Sequence, residues 1–418
     1  MKSRLGARVV LLAAGAMLLQ GTVLPEARAE SPTDPWYADL YRLDEVWEQA
    51  QGEGVTVAVI DSGVDDSVPE LEGQVLEGID LITSDGAHVD VMGHGTDMAS
   101  LIAGTGAGGG VRGLAPGAEI LPIRMMTAHG EWHFDDEARM AEAIEYAVSK
   151  GARIINISMG WSEIGADAGQ VTNAIAEAAR NDVLIFAGTG NDALEGNESS
   201  FPADRDGVVG VAAVDRDGVR ADYSTFGPQV ALAAPGNDVP SRCPDIHSPL
   251  CLDSEGGTSS ATALASGAAA LVWSAHPEWT KNQVLRVLME TADGPEGAMR
   301  DQEIGFGVVR PDRVILDGEG DPGDPDTSPL FSTFERRLDP PVTPEPTAPE
   351  PAQEENGDEA AAGEDELLAE QADDGDEGGG GALFFGLAAA VLAAGIVAAV
   401  VMRRRGRASG AFGGGRYR

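Results

Sequence analysis

Between residues 55 and 291, short apolar runs rich in β-branched residues alternate with segments of helical spacing, and this alternation restricts the fold more than any other feature of the chain. Strand-like runs occupy residues 55–60, 120–124, 153–158, 183–187, 208–214 and 230–233. They are apolar almost continuously rather than at every second position, as expected of parallel strands covered on both faces. Between them, residues 135–150 place Ala138, Ala141, Ile144, Ala147 and Val148 at helical spacing, and residues 166–181 form a second helical segment. Residues 260–274 make a small-residue apolar helix, and Thr280 with Gln283 forms a capping box that opens a helix to residue 291. The expected fold class is therefore α/β, a mainly parallel sheet between helices, in one domain over residues 54–316. A mixed polar extension over residues 30–53 precedes it. Trp36, Tyr37, Tyr41 and Trp47 are its candidate anchors onto the domain. There is no internal repeat.

The two ends have a different character. Lys2, Arg4 and Arg8 precede an apolar run over residues 9–19 and an Ala27-Arg28-Ala29 cleavage pattern, so residues 1–29 are expected to be a signal peptide. Residues 317–381 are rich in Pro, Glu, Asp, Thr and Ala. Within them, residues 340–380 hold fourteen acidic residues and no Lys or Arg, the composition of a disordered linker. Residues 382–402 are uncharged, and their twenty-one residues would span about 30 Å as a helix. The arginines of the tail over residues 403–418 follow directly, which predicts a single-pass membrane protein with its large domain outside and its C-terminus in the cytoplasm. The net charge of −41 argues against a nucleic-acid partner. Cys243 and Cys251 are the only cysteines. In an oxidising compartment they are expected to pair, closing a short loop for about 2.5 kcal/mol. No cofactor or metal motif is present; Asp80, Asp85 and Asp90 are expected to be solvated loop carboxylates.

Three islands carry chemistry. Asp61 ends the first strand in Val59-Ile60-Asp61-Ser62-Gly63, which puts it at the carboxyl edge of the sheet, where open α/β folds place their crevices. His94 lies in Gly93-His94-Gly95-Thr96, at an expected helix start. Ser259 lies in Gly257-Thr258-Ser259-Ser260, at the start of the apolar helix, where free backbone N–H groups and the helix dipole favour an anion. A carboxylate, an imidazole and a hydroxyl are the groups that make a serine nucleophilic.

In these islands the chain resembles the subtilisin-like (S8) serine peptidases, whose triad runs in the order Asp, His, Ser. Ile155-Asn156-Ile157-Ser158-Met159-Gly160 is similar to the family's substrate-pairing strand, and Gly188-Thr189-Gly190-Asn191 to the segment that ends in its oxyanion asparagine. The resemblance covers roughly residues 36–315. It implies Ser259 as nucleophile, His94 as general base and acid, Asp61 as the residue that orients His94, and Asn191 with the Ser259 N–H as oxyanion donors. It also implies a substrate pocket walled by Ser158, Met159, Gly160, Gly188 and Thr189, without a fixed charge and so without a strong demand for a basic P1 residue.

The chain departs from the family in two places. The run after Ser259 contains no proline, and Asp97 stands where a second histidine is common; a carboxylate there would alter the pKa of His94 if the two are close. Residues 30–55 leave no room for the folded propeptide common in the family. The short extension, exported domain, acidic linker, membrane helix and basic tail together resemble the mycosins, membrane-anchored subtilisin-like proteases of type VII secretion. That resemblance implies a protein or peptide substrate and type VII secretion components as partners. A second function class is a scaffold within a membrane secretion complex, with catalysis dispensable.

Overall fold

The computed structural model describes residues 35–126, 136–161, 169–242, 250–295, 297 and 299–338. The expected signal peptide, membrane span and basic tail, and Cys243, lie outside the described residues. Among the described residues, no helix is long and apolar enough to cross a membrane.

Among the described residues, seven strands form the central sheet: β1 (Thr56–Asp61), β2 (Ile79–Asp80), β3 (Glu119–Arg124), β4 (Ile154–Ile157), β5 (Leu184–Gly188), β6 (Val208–Val214) and β7 (Val230–Pro235). Their spatial order is β2-β3-β1-β4-β5-β6-β7, and every pairing is parallel. A separate antiparallel hairpin joins β8 (Val239–Arg242) to β9 (Leu250–Asp253), with Cys251 on its second strand. The helices are α1 (Trp36–Leu40), α2 (Leu43–Val46), α3 (His94–Ala103), α4 (Asp136–Ser149), α5 (Gly169–Arg180), α6 (Gly257–Ala275), α7 (Lys281–Thr291), α8 (Pro311–Ile315) and α9 (Ser332–Leu338).

Strand β1 shows why both faces had to be apolar. Val57 and Val59 join a core with α3 and α6, while Ala58 and Ile60 join the opposite core with α4 and α5. The chain fills the β3 side of β1 first and then crosses to the β4 side, so the strand order reverses at β1 and opens a crevice at its carboxyl end. Asp61 is the last residue of β1.

Helix α6 runs through the first core, with residues 260–273 all buried. Its Ala, Gly and Ser side chains let it lie close to the sheet; a Cβ on Gly267 would sit 2.9 Å from Leu114. Its buried hydroxyls find partners: Ser260 Oγ donates to Gly256 O and Thr262 Oγ1 to Thr258 O, one turn back in each case. The N-terminal aromatics dock on the same core, with Tyr37 and Tyr41 fully buried and Trp47 Nε1 donating to Leu114 O. In α7, Gln283 Oε1 accepts the N–H of Thr280 at 3.1 Å, the expected cap.

The linker boundary needs correction. Residues 317–338, expected to belong to a disordered linker, fold back as a strap. Arg286 donates to the carbonyls of Pro322, Asp324 and Thr327, and Asn282 Nδ2 to Pro325 O. Phe334 of α9 is buried in the second core, and Lys281 is ion-paired with Glu335. Polar composition hid this because the strap is held mainly through its carbonyls, which every residue type carries. Only Leu330, Phe331, Phe334 and Leu338 betray an apolar face.

Candidate active site

Asp61, His94 and Ser259, which are far apart in sequence, come to one edge of the sheet through β1, α3 and α6. Asp61 is fully buried. Its Oδ1 is 2.7 Å from His94 Nδ1 and also accepts the N–H of Ser62 at 2.7 Å. Its Oδ2 is buried without a hydrogen-bond partner among the described residues.

Gly95 permits this approach. A Cβ there would lie 2.1 Å from the carbonyl oxygen of Gly63 and 3.0 Å from Asp61 Cβ, which explains a residue without a side chain after the histidine. The His94 side chain is 32% exposed on its outer edge. Burial of the inner edge disfavours its charge. The Asp61 charge and hydrogen bond outweigh that, Asp97 and Asp90 add to them, and together they push its pKa up to about 9.

Asp90 is not the solvated carboxylate expected. Its Oδ1 accepts from Ser62 Oγ, Met92 N and Gly93 N, and its Oδ2 from Thr96 N and Thr96 Oγ1. It satisfies backbone donors at the start of α3, as a helix cap does. The Asp80 side chain is likewise only 4% exposed and held by Arg124 at 3.0 Å, whereas the Asp85 side chain is 63% exposed, as expected. Asp97 is close enough to raise the His94 pKa, and its own pKa is raised by burial.

Ser259 is the third residue of α6, so its N–H precedes the first intrahelical hydrogen bond and is open to a ligand. Its Oγ donates to Ser158 O at 2.9 Å in this structure. A buried polar chain fixes the neighbourhood. Ser266 Oγ donates to Asn156 Oδ1, Asn156 Nδ2 to Ser158 Oγ, and Ser158 Oγ to Ser259 O. Asn191 follows β5 at the same edge. Its Oδ1 accepts from Thr258 N at 2.9 Å and Thr258 Oγ1 at 3.1 Å, which orients the amide. Gly257, at φ +80, lies against it; a Cβ there would be 2.9 Å from Asn191 Nδ2.

A cavity of about 250 Å³ adjoins Ser259. Ser158, Met159, Gly160 and Gly188 line it, as expected, together with Met126, Trp161, Asn191 and Asp192. Thr189 does not. Its side chain is fully buried and turned inward, with Oγ1 donating to Thr225 O at 2.9 Å. Period-2 alternation along the segment explains the miss, since neighbouring residues point to opposite sides. Asp192, which is exposed, also lies along this cavity, so an acidic residue stands beside a pocket expected to be without fixed charge. Its position directly after Asn191 was the available signal.

The model of the subtilase family of peptidases matches residues 52–307. The chain belongs to the subtilase family. Family membership makes it a serine endopeptidase. The thermostable alkaline protease of Halalkalibacterium halodurans is 34% identical to this subtilase over 263 residues, which cover 63% of this chain and 69% of that protein. Among solved structures, the MycP3 protease from the type VII (ESX-3) secretion system is similar with a TM-score of 0.61 at 30% identity, over 69% of this chain and 90% of the other. MycP1 from Mycobacterium smegmatis is similar with a TM-score of 0.61 at 27% identity, over 73% and 89%.

Proposed function

We propose that this subtilase is a membrane-anchored extracellular endopeptidase of the mycosin kind, which cleaves peptide bonds through an acyl-enzyme on Ser259. One observation carries the reading: the 2.7 Å contact between Asp61 and His94 at the sheet edge where α6 presents Ser259 beside Asn191.

In this reading, rotation of the Ser259 side chain breaks its bond to Ser158 O and turns Oγ toward the free ring nitrogen of His94. His94 takes the proton as Oγ attacks the scissile carbonyl, and the buried Asp61 stabilises the imidazolium. The tetrahedral oxyanion accepts from the Ser259 N–H and from Asn191 Nδ2, the amide nitrogen that Thr258 leaves free. His94 then protonates the leaving amine, and water repeats the sequence to release the acid. Met126, Met159 and Trp161 favour an apolar P1 side chain, and Asp192 at the rim tolerates a basic one.

The anchor rests on residues 382–402 and the arginines after them, export on residues 1–29, and the type VII context on the likeness to MycP3 and MycP1. A Cys243–Cys251 bridge belongs to the same reading. Scaffolding without catalysis is the second reading; the Ser259 Oγ bond to Ser158 O, made instead of one to His94, is the observation in its favour.

The test is a fluorophosphonate probe applied to the full-length chain beside Ser259→Ala and His94→Ala. Labelling that both substitutions abolish is the expected result. A folded wild-type chain that resists the probe would overturn the catalytic reading and leave the scaffold.

A further inference from the structure

The first turn of α3 carries a carboxylate that the proposed reaction does not use. Asp97 Oδ2 accepts from Ser241 Oγ at 2.8 Å, and its Oδ1 accepts from the backbone N–H of Arg242 at 3.1 Å. Both donors belong to β8. That strand pairs with β9, placing Ser241 opposite Cys251 and Val239 opposite Asp253. Asp253 ends β9 just before Gly256, the cap of α6. Gly256 in turn packs on β8, where a Cβ would lie 2.5 Å from Val239 Cγ2. The Arg242 guanidinium is ion-paired with Glu70, which is buried, so the hairpin is held at a second point. One side chain thus ties the helix that begins at His94 to the strand pair that leads into the helix of Ser259.

We infer that Asp97 is a positioning residue: its two hydrogen bonds hold the β8–β9 hairpin, and through it Ser259, in register with His94. This rests on the Asp61–His94–Ser259 reading above. The carboxylates around His94 are Asp61 on β1, Asp90 before α3 and Asp97 on α3. Asp97 itself faces His94 and Arg242, with Glu70 behind Arg242. Its hydrogen bonds and charge are separable. An asparagine at this position can still accept from Arg242 N–H and can donate to Ser241 Oγ, but it carries no charge; an alanine has neither property.

The experiment follows kcat, KM and Ser259 labelling against pH in the full-length chain for the wild type, Asp97→Ala, Asp97→Asn and Ser241→Ala, each corrected for folded fraction by circular dichroism. Asp97→Ala is expected to lower kcat by about 10- to 100-fold with KM little changed, the range for a displaced reacting group. Asp97→Asn should restore most of that loss and move the acid limb of kcat/KM to lower pH. Ser241→Ala should give a smaller fall in kcat with the acid limb in place. If Asp97→Ala keeps the wild-type kcat and acid limb, or loses activity only in proportion to its unfolded fraction, the inference is overturned while the triad stands. Absence of Ser259 labelling in the folded wild type overturns both.

Discussion

Two helices, α3 and α6, begin at the same edge of the sheet, and each opens on a residue of the proposed triad, yet their first turns are built in opposite ways. The start of α3 is filled by the protein. Asp90 takes the N–H groups of Gly93 and Thr96, Asp97 lies within the turn, and Asp61 closes on His94. At the start of α6 a single amide oxygen, Asn191 Oδ1, takes a backbone donor, and no carboxylate does. Thr258 N–H is used to orient Asn191, and Ser259 lines the cavity. A helix N-terminus favours an anion in either case. At α3 the chain supplies the anions, which bias an imidazole toward its cation; at α6 it leaves the place to the substrate's developing oxyanion. The same backbone device serves a proton carrier or an oxyanion according to which side chains surround it.

The sharpest way to break this contrast is at the open end. Asn191→Ala should lower kcat by about 10²–10³-fold with KM nearly unchanged, the magnitude known for subtilisin's own oxyanion asparagine. An equal rise in KM at constant kcat would mean that Asn191 only binds substrate. Peptide hydrolysis under saturating and limiting substrate separates the two. At the filled end, Gly95→Ala forces a Cβ against the Gly63 carbonyl and should destabilise the fold by about 1–3 kcal/mol, read as a lower urea midpoint. Asp90→Ala leaves the donors of α3 uncapped and should reduce stability by about 1–2 kcal/mol. It should also lower the His94 pKa, which NMR titration of the ring detects; an unmoved pKa would take Asp90 out of the electrostatics.

A further effect concerns pH. His94 has a folded pKa near 9 against an ordinary value of 6.5. Its protonated form therefore binds its proton more tightly in the folded state. The stability it contributes is fully present below about pH 6.5 and is lost as pH rises through about 9. Urea midpoints of the wild type should fall across that window relative to His94→Gln, whereas a parallel course for the two would place the titration elsewhere. For the same reason proteolysis should increase with pH through this range, since only neutral His94 can accept the serine proton.

The legible parts of the sequence were those in which the chemistry is local. β6 runs over Val208–Val214, the whole of the expected 208–214 run, and β1 lies within one residue of its expected bounds, because strands buried on both faces must be apolar throughout. Asp61, His94 and Ser259 stood out because each sits among glycines that permit close backbone approach. Asp90 and Asp97 did not stand out as structural residues. The partners of Asp97 lie 144 and 145 residues away, and nothing near an aspartate in sequence announces donors at that distance. The strap over residues 317–338 was hidden for the same reason, since Arg286 and Asn282 of α7 hold its carbonyls and its few apolar residues come only at its end.

The sequence by itself determined the α/β class, the order of the strands along the chain, and the residue types gathered for serine chemistry, since periodicity and glycine placement act over a few residues. Only the tertiary structure decided which carboxylates face His94, that Thr189 points inward while Asp192 joins the cavity, and that Ser259 Oγ rests on Ser158 O. Those outcomes depend on which elements pack side by side, and burial, electrostatic coupling and hydrogen-bond satisfaction take their values only once distant segments share a wall.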